Sequence, residues 1–573
     1  MGMKLSDYVM RFIKEQVVNS VFLLSGGGIM HLVDSLGKSD LYAYCCHHEQ
    51  AATIAAEGYA RMNNVPGVVL VTTGPGGTNA VTGIAGAWLD SIPMLVIAGQ
   101  VKRADITPRH PDGALTVRQT GFQELNVIDV VRPVTKYAVT VDDPANIRYE
   151  LEKALYLATH GRPGPVFIEI PLDVQAAEVE TDGLRSFFDS NNRPEFDMQL
   201  ALYVSTPCLH VAAIERVADL LRNAKRPLLM AGNGIRLAGG EQMLDVFLKQ
   251  TGINVVTPMF TADDLVTYAY PHYLGPQGMS GSGAANYAID NCDVLLIIGE
   301  RMQLTQTSYD HGNFATQATK IMVDIDRGEL DKPFLSIDVS IHCDAEVFLR
   351  ALCAHHVTLS RWEVPCEPIN LAMHTCAPGY LNVYRFFERL NVYKDLMPIA
   401  TANGMASVAT HQAMALKPGQ RLLTNAGLGH MGSGLPLAIG ACIANGWKPT
   451  MCMEGDGSVM LNIQELQTIE HHQLPIKIFI FNNNGYYSIR NTHQNYFGSV
   501  FAADAPSGVS FPDFRKVADA FALPFVRICN DSELDAGLDR VMQYSGPIIC
   551  ELMLDPNQPM LGRWTAGAFR RQD

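Results

Sequence analysis

Short runs of β-branched and aliphatic residues, closed by Gly or Pro, recur along the chain at Gly67–Val71, Pro93–Ala98, Pro165–Ile170, Pro227–Ala231, Val294–Ile298, Lys320–Ile325 and Pro475–Phe481. Each is apolar without alternation, and helical patterns fill the intervals. That combination predicts strands buried on both faces and joined by crossover helices, which is the arrangement of a parallel sheet. The opening residues, Met1-Gly2-Met3-Lys4-Leu5-Ser6-Asp7, read as the start of an amphipathic helix. Polar, Pro-containing, helix-poor stretches at Asp182–Pro207 and Cys366–Tyr380 interrupt the alternation and read as linkers. A chain of 573 residues exceeds what one hydrophobic core supports. The expectation is an α/β protein of three doubly wound parallel-sheet domains, over residues 1–182, 207–365 and 381–573. No repeat is visible at the level of residue identity, although the first and last thirds could share an architecture without sharing sequence.

Composition narrows the function. With 47% hydrophobic and 18% charged residues the chain is of ordinary globular type. Asp and Glu number 58 against 43 Lys and Arg, a net charge of −15 that repels phosphate polymers and anionic membranes, so nucleic acid is not an expected partner. The N-terminus has neither a secretory apolar core nor a basic transit stretch, and no apolar run reaches the roughly 18–20 residues of a membrane span. The 12 cysteines show no CxxC spacing, and the adjacent pair Cys45-Cys46 reads as a buried strand end. Reduced, packed thiols are expected rather than disulfides or a zinc site, which points to the cytoplasm.

The most specific chemistry lies in the last third, where Glu454-Gly455-Asp456-Gly457-Ser458 is followed by Asn483, with 26 residues between Asp456 and Asn483. Thr450–Met453 reads as a strand, the glycines as a tight turn, and Asn462–His472 as a helix whose N-terminal end favours an anion. A second buried strand, Ile476–Phe481, brings Asn482-Asn483-Asn484-Gly485 to the same sheet edge, so that Asp456 and Asn483 can meet. A carboxylate, an amide oxygen and a backbone carbonyl make half of an oxygen shell. A hard ion such as Mg²⁺ completes its octahedron with phosphate oxygens and water, so a diphosphate cofactor is implied. In isolation, Gly-Asp-Gly is more often a plain surface turn.

These residues resemble the cofactor motif of thiamine-diphosphate enzymes, and the likeness extends over nearly the whole chain. In that family the aspartate, the second asparagine and a carbonyl two residues later hold the metal, which maps onto Asp456, Asn483 and Gly485; Gly455, Gly457 and Ser458 flank the aspartate, and Tyr486 and Ile489 follow on the cofactor side. Glu49, in Cys46-His47-His48-Glu49-Gln50, falls where one glutamate hydrogen-bonds the aminopyrimidine ring. The role suits a desolvated carboxyl that exchanges a proton with a weakly basic ring nitrogen; the bland alternative is a glutamate favoured by the helix dipole. His47 and His48 are neighbours in an extended strand end and point to opposite faces, so satisfied histidines are expected rather than a metal pair.

Three segments resemble the acetolactate-synthase branch: Ser25-Gly26-Gly27-Gly28, Thr73-Gly74-Pro75-Gly76-Gly77-Thr78-Asn79 and Gly121-Phe122-Gln123-Glu124. The resemblance places Gly27 against the thiazolium, Phe122 and Gln123 at the mouth of the site, and Asn79 among the cofactor contacts. Gly427-Leu428-Gly429-His430-Met431-Gly432 resembles the segment in which a glycine carbonyl, here Gly429, binds the aminopyrimidine and a bulky side chain, here Met431, bends the cofactor. Gly404 and Met405 lie where backbone donors meet the diphosphate. The middle third resembles the domain that carries FAD without redox turnover, with Gly278, Arg301 and Asp324 in the contacting segments. The family builds its sites between subunits, so a homodimer or homotetramer is implied.

Typical acetolactate synthases carry a tryptophan shortly after the metal-binding asparagine; this chain has Thr492 near that place, within Tyr486-Tyr487-Ser488-Ile489-Arg490-Asn491-Thr492. That run, with Val117–Glu124, resembles the carboligases of branched-sugar pathways such as yersiniose formation, which add an acetyl unit from pyruvate to a nucleotide-linked 4-keto-deoxysugar. Acetolactate synthesis from two pyruvates is the alternative, ahead of a decarboxylase or diketone hydrolase. A non-catalytic cofactor-binding relative is disfavoured by retention of Glu49, Asp456 and Asn483.

Overall fold

The computed structural model describes residues 2–189, 209–261, 263–365 and 374–570. Three parallel six-stranded sheets organise it. Across the first run Tyr42–Cys45, Ser20–Leu23, Gly67–Val71, Met94–Gln100, Pro165–Pro171 and Tyr137–Thr140. Across the third run Leu422–Thr424, Ile399–Thr401, Thr450–Gly455, Ile476–Asn482, Ile548–Met553 and Phe525–Ile528. Numbered by position in the chain, both sheets have the order 2-1-3-4-6-5, so the outer thirds share an architecture that their residues do not reveal. The middle sheet runs Tyr273–Gln277, Asn254–Pro258, Pro227–Ala231, Val294–Ile298, Thr319–Asp324 and Val339–His342, the 3-2-1-4-5-6 order of a doubly wound dinucleotide-type fold.

The expected strands form within one or two residues of their predicted ends, because a run buried on both faces has no polar face to turn elsewhere. Three local expectations are corrected. Gly2–Lys4 is a strand paired antiparallel with Glu178–Glu180, and the amphipathic helix begins only at Leu5. The helix expected over Asn462–His472 is confined to Glu465–His471, after a 3₁₀ turn at Val459–Leu461; the Asn462 side chain donates instead to the Gly432 carbonyl at 2.8 Å. Cys45 is exposed and only Cys46 is buried, as successive strand positions face opposite ways. The linker assigned to Asp182–Pro207 lies outside the described residues from residue 190 onward, and that assigned to Cys366–Tyr380 does so as far as residue 373.

The outer domains are joined backbone to backbone. Helix Glu49–Asn63 packs on helix Gly434–Ala444, where a Cβ on Gly440 would lie 1.9 Å from the Ala55 carbonyl and one on Gly58 2.4 Å from that of Leu437. One hydrophobic cluster runs through both, from Phe22, Ile54 and Phe167 to Leu435, Ile478 and Ile549. The middle domain is tied in by charge: Arg421 meets Asp263 at 2.6 Å and Arg162 meets Asp326 at 2.8 Å. Among the described residues no helix is long and apolar enough to cross a membrane.

Candidate active site

In sheets of this kind ligands gather beyond the carboxyl ends of the strands, where the strand order reverses. In the first domain that point is between Ser20–Leu23 and Gly67–Val71, which deliver Gly26–Gly28 and Thr73–Asn79. A Cβ on Gly26 would lie 2.5 Å from the Thr72 side chain and one on Gly28 2.0 Å from Thr73 Oγ1, whereas Gly27 has nothing within 4 Å. The outer two glycines thus permit packing and the central one leaves an opening. Glu49 heads its helix behind His48, whose Nδ1 caps it by accepting from the Gln50 N–H at 3.0 Å. Glu49 is only 5% exposed, and Asn79 Nδ2 donates to its Oε2 at 3.0 Å.

The Gly121–Glu124 segment closes against the Gly74 turn. Gly74 has φ +61° and a Cβ there would lie 2.1 Å from the Gln123 carbonyl; Gln123 is itself left-handed at φ 62°. Buried Glu124 fastens this loop by accepting from the Thr107 N–H and Oγ1 and from the Thr120 and Gly121 N–H groups. Burial acts to raise its carboxyl, but those donors outweigh it and hold the group below the usual carboxylate range. Phe122 is left 86% exposed.

In the third domain the reversal lies between Ile399–Thr401 and Thr450–Gly455, which lead to Asn403–Met405 and Asp456–Ser458. Helix Met405–Ala413 starts from Gly404 at φ 80° without a side-chain cap, which leaves its first N–H groups for an anion. Asp456 is 3% exposed; its Oδ1 accepts from the Gly457 N–H at 2.8 Å and its Oδ2 from the Gly485 N–H at 3.0 Å. Burial pushes the Asp456 carboxyl up to about 6. Asn483 is also buried: its Nδ2 donates to Met405 Sδ at 3.3 Å, and its Oδ1 accepts from Arg490 at 3.1 Å. Adjacent strands therefore bring Asp456, Asn483 and Gly485 together. An oxygen-only donor set around a buried carboxylate that has no ion pair among the described residues fits a hard divalent cation.

The neighbouring loop carries Gly429 at φ 60°, whose carbonyl accepts from Asn403 Nδ2, then His430 and half-buried Met431. Both His430 ring nitrogens are buried without a described partner, and burial pushes its imidazole down to about 4. Ser458 Oγ accepts from the Gly432 N–H at 2.8 Å. A Cβ on Gly457 would lie 2.2 Å from the Tyr486 ring. Tyr486 precedes helix Tyr487–Phe497, on which Ile489 and Thr492 are exposed, as are Tyr496 and Phe497 at its far end.

One helix measures the distance between the two halves. Pro75–Leu89 carries Asn79, bonded to Glu49, near its start, and Asp90, bonded to the Ala426 and Gly427 N–H groups, at its end. Eleven residues of helix rise roughly 16 Å. Within one chain, Glu49 and the Gly427–Met431 loop thus stand at opposite ends of that helix.

The middle domain has its own reversal point, between Pro227–Ala231 and Val294–Ile298. The cavity there is lined by Gly234, Glu300, Arg301 and Asp324, with Arg162 and Asp90 from the first domain. A Cβ on Gly234 would lie 2.7 Å from Gly299 Cα. Burial raises the Glu300 carboxyl to about 7 and that of Asp324 to about 6, and Arg236 Nε and Glu300 Oε1 are buried without a described hydrogen bond. Arginines for a diphosphate beside a strand-end carboxylate for ribose hydroxyls fit a nucleotide cofactor. Gly278 lies outside this lining; its N–H and carbonyl are both bonded to the Asn286 side chain, at 3.1 and 2.9 Å.

Glu124 and Arg490 lie within Gly121–Glu124 and Tyr486–Thr492, yet nothing in the spacing of those segments shows that they fasten the loops around them. Asp90 belongs to no motif at all, and the two amides it accepts from lie more than 330 residues away.

Comparison with known proteins covers the same three units. The thiamine pyrophosphate enzyme N-terminal TPP binding domain matches residues 3–130, the central domain of those enzymes residues 214–352, and their C-terminal TPP binding domain residues 402–552. The chain is 31% identical over 554 residues to acetolactate synthase isozyme 2 large subunit of Escherichia coli strain K12, covering 96% of this chain and 95% of that one. It is 31% identical over 552 residues to the acetolactate synthase large subunit of Cyanidium caldarium, covering 94% and 91%. With the chloroplastic acetolactate synthase 1 of Oryza sativa subsp. japonica it shares 32% over 597 residues, covering 99% and 87%.

Proposed function

The chain belongs to the thiamine pyrophosphate enzyme family, with acetolactate synthases among its relatives, and from that premise we propose that it decarboxylates pyruvate and transfers the two-carbon acetyl unit to a ketone acceptor larger than pyruvate. The acceptor class that fits is a nucleotide-linked 4-keto-deoxysugar. The observation that supports this reading is the helix beside the Asn483 loop, where Thr492, exposed and smaller than the tryptophan that typical acetolactate synthases carry near that place, would give a bulkier ketone more room.

Thiamine diphosphate, when bound, supplies a thiazolium carbon that accepts the electron pair released as CO₂ leaves. The chain's residues do the rest. Asp456, Asn483 and the Gly485 carbonyl hold Mg²⁺, and the uncapped start of helix Met405–Ala413 receives the diphosphate. Gly429 and Met431 orient the aminopyrimidine, and Glu49 holds the proton that its ring nitrogen exchanges. Gly27 leaves room for the thiazolium, while Phe122 and Gln123 border the acceptor's approach. Holding the reacting atoms in such an arrangement is worth several kcal/mol of barrier. In the middle domain, Arg301, Arg162 and Asp324 hold FAD without redox turnover.

The roughly 16 Å between the Glu49 end and the Gly427 end of helix Pro75–Leu89 exceeds the span of one aminopyrimidine ring. The site is therefore built from Glu49 of one chain and the third domain of another, in a homodimer or a dimer of dimers. Exposed Phe122, Tyr496, Phe497 and Phe501 suit the closing surface.

Incubation with pyruvate, thiamine diphosphate and Mg²⁺, with and without a panel of ketones, followed by mass analysis, tests the reading. A product equal to ketone plus two carbons is expected. The near full-length likeness to acetolactate synthases makes acetolactate the competing outcome, and its appearance alone, whatever ketone is offered, would replace this proposal with that activity. The purified protein should be yellow; a colourless and fully active preparation removes FAD.

A further inference from the structure

We infer that Asp90, on the first domain, is the positioning residue for the Ala426–Met431 loop of the third domain, and so governs the cofactor end of its own chain rather than the Glu49 end. This rests on the reading that the loop holds thiamine diphosphate.

Asp90 follows the last residue of helix Pro75–Leu89, where the dipole disfavours an anion, so local stability does not account for a carboxylate there. Its side chain is 6% exposed. The two oxygens divide between two successive N–H groups: Oδ2 accepts from Ala426 at 2.9 Å and Oδ1 from Gly427 at 2.8 Å. Arg61 Nη2 supports Oδ2 at 2.6 Å and Arg301 Nη2 stands 3.4 Å from Oδ1. A carboxylate that takes two consecutive amides this way admits one backbone course between them. The first domain grips the loop a second time, because Asn425 Nδ2 donates to Glu57 Oε1 and Oε2 at 3.1 and 3.0 Å while Asn425 Oδ1 accepts from the Leu428 N–H at 3.3 Å. Gly427 has no slack against this seat, since a Cβ there would lie 2.6 Å from Asp90 Oδ1. Two residues on is Gly429, whose carbonyl must meet the aminopyrimidine.

Asp90→Asn keeps the size of the side chain but turns one acceptor into a donor facing an N–H. We expect thiamine diphosphate to bind at least about tenfold more weakly in a titration followed by fluorescence, with the pyruvate KM at saturating cofactor changed by less than about threefold. Gly427→Ala, which disturbs the same contact from the loop side, should reproduce the loss, and it serves if Asp90→Asn does not fold. Subunit mixing then assigns the side, at a cofactor level that saturates wild type but not the variant. Asp90→Asn mixed with Glu49→Gln should regain up to about a quarter of wild-type activity, and with Asp456→Ala none. Wild-type affinity in both folded variants, or the opposite mixing pattern, overturns the inference. A control mixture of Glu49→Gln with Asp456→Ala that recovers nothing overturns the two-chain site instead, and the affinity measurement still decides Asp90.

Discussion

Replacing Glu49 by Gln should lower turnover by at least about 10²-fold while leaving thiamine diphosphate affinity within about tenfold of wild type. The carboxyl is buried, and its described hydrogen-bond partner, Asn79 Nδ2, donates to it. A glutamine can keep that bond through its own carbonyl oxygen, so shape and packing persist. What it cannot do is hold and release a proton at the ring nitrogen. Separate measurement of steady-state turnover and equilibrium cofactor binding distinguishes the two. Near-wild-type turnover in a fully loaded variant would remove Glu49 from the chemistry and leave it as a helix-start carboxylate.

Asp456→Ala should produce the complementary defect. Both oxygens of this carboxylate are held by backbone N–H groups of the Gly457 and Gly485 turns, which fixes its orientation beside the loop that carries Asn483. On the proposed function its removal takes away the one charged ligand of a hard cation, and Mg²⁺ with its diphosphate should bind at least about 10²-fold more weakly. Raising the Mg²⁺ concentration should partly restore activity, which no concentration of metal does for the Glu49 variant. Unchanged cofactor affinity by titration would show that the metal is held elsewhere.

How much of this was legible beforehand follows from what each feature depends on. Strands such as Gly67–Val71 and Val294–Ile298 form where expected because burial on both faces is written into each run by itself. Strand order is not so written: it depends on which runs become neighbours, so the common order of the outer sheets, with no visible likeness of sequence, emerged only from the structure. The meeting of Asp456 with the Asn483 loop was legible because two consecutive buried strands usually lie side by side. Asp90 was not, since its meaning resides in two amides on another domain. The same reason hid the short strand Gly2–Lys4, whose partner Glu178–Glu180 lies at the far end of the first domain.

The hydrophobic cluster common to the first and third domains has a consequence for how the chain is made. Phe167 and its neighbours are synthesised long before Leu435 and Ile439, which complete the packing of helix Glu49–Asn63. At ribosomal rates of about 5–20 residues per second, the interval between residues 167 and 435 lasts on the order of 10–60 s. For that time the newborn first domain presents an apolar helix face, smoothed by Ala51, Ala55 and Gly58, with nothing yet made to cover it. Expression yield should accordingly depend on chaperone supply and on slow translation temperatures more than the stability of the finished protein would suggest.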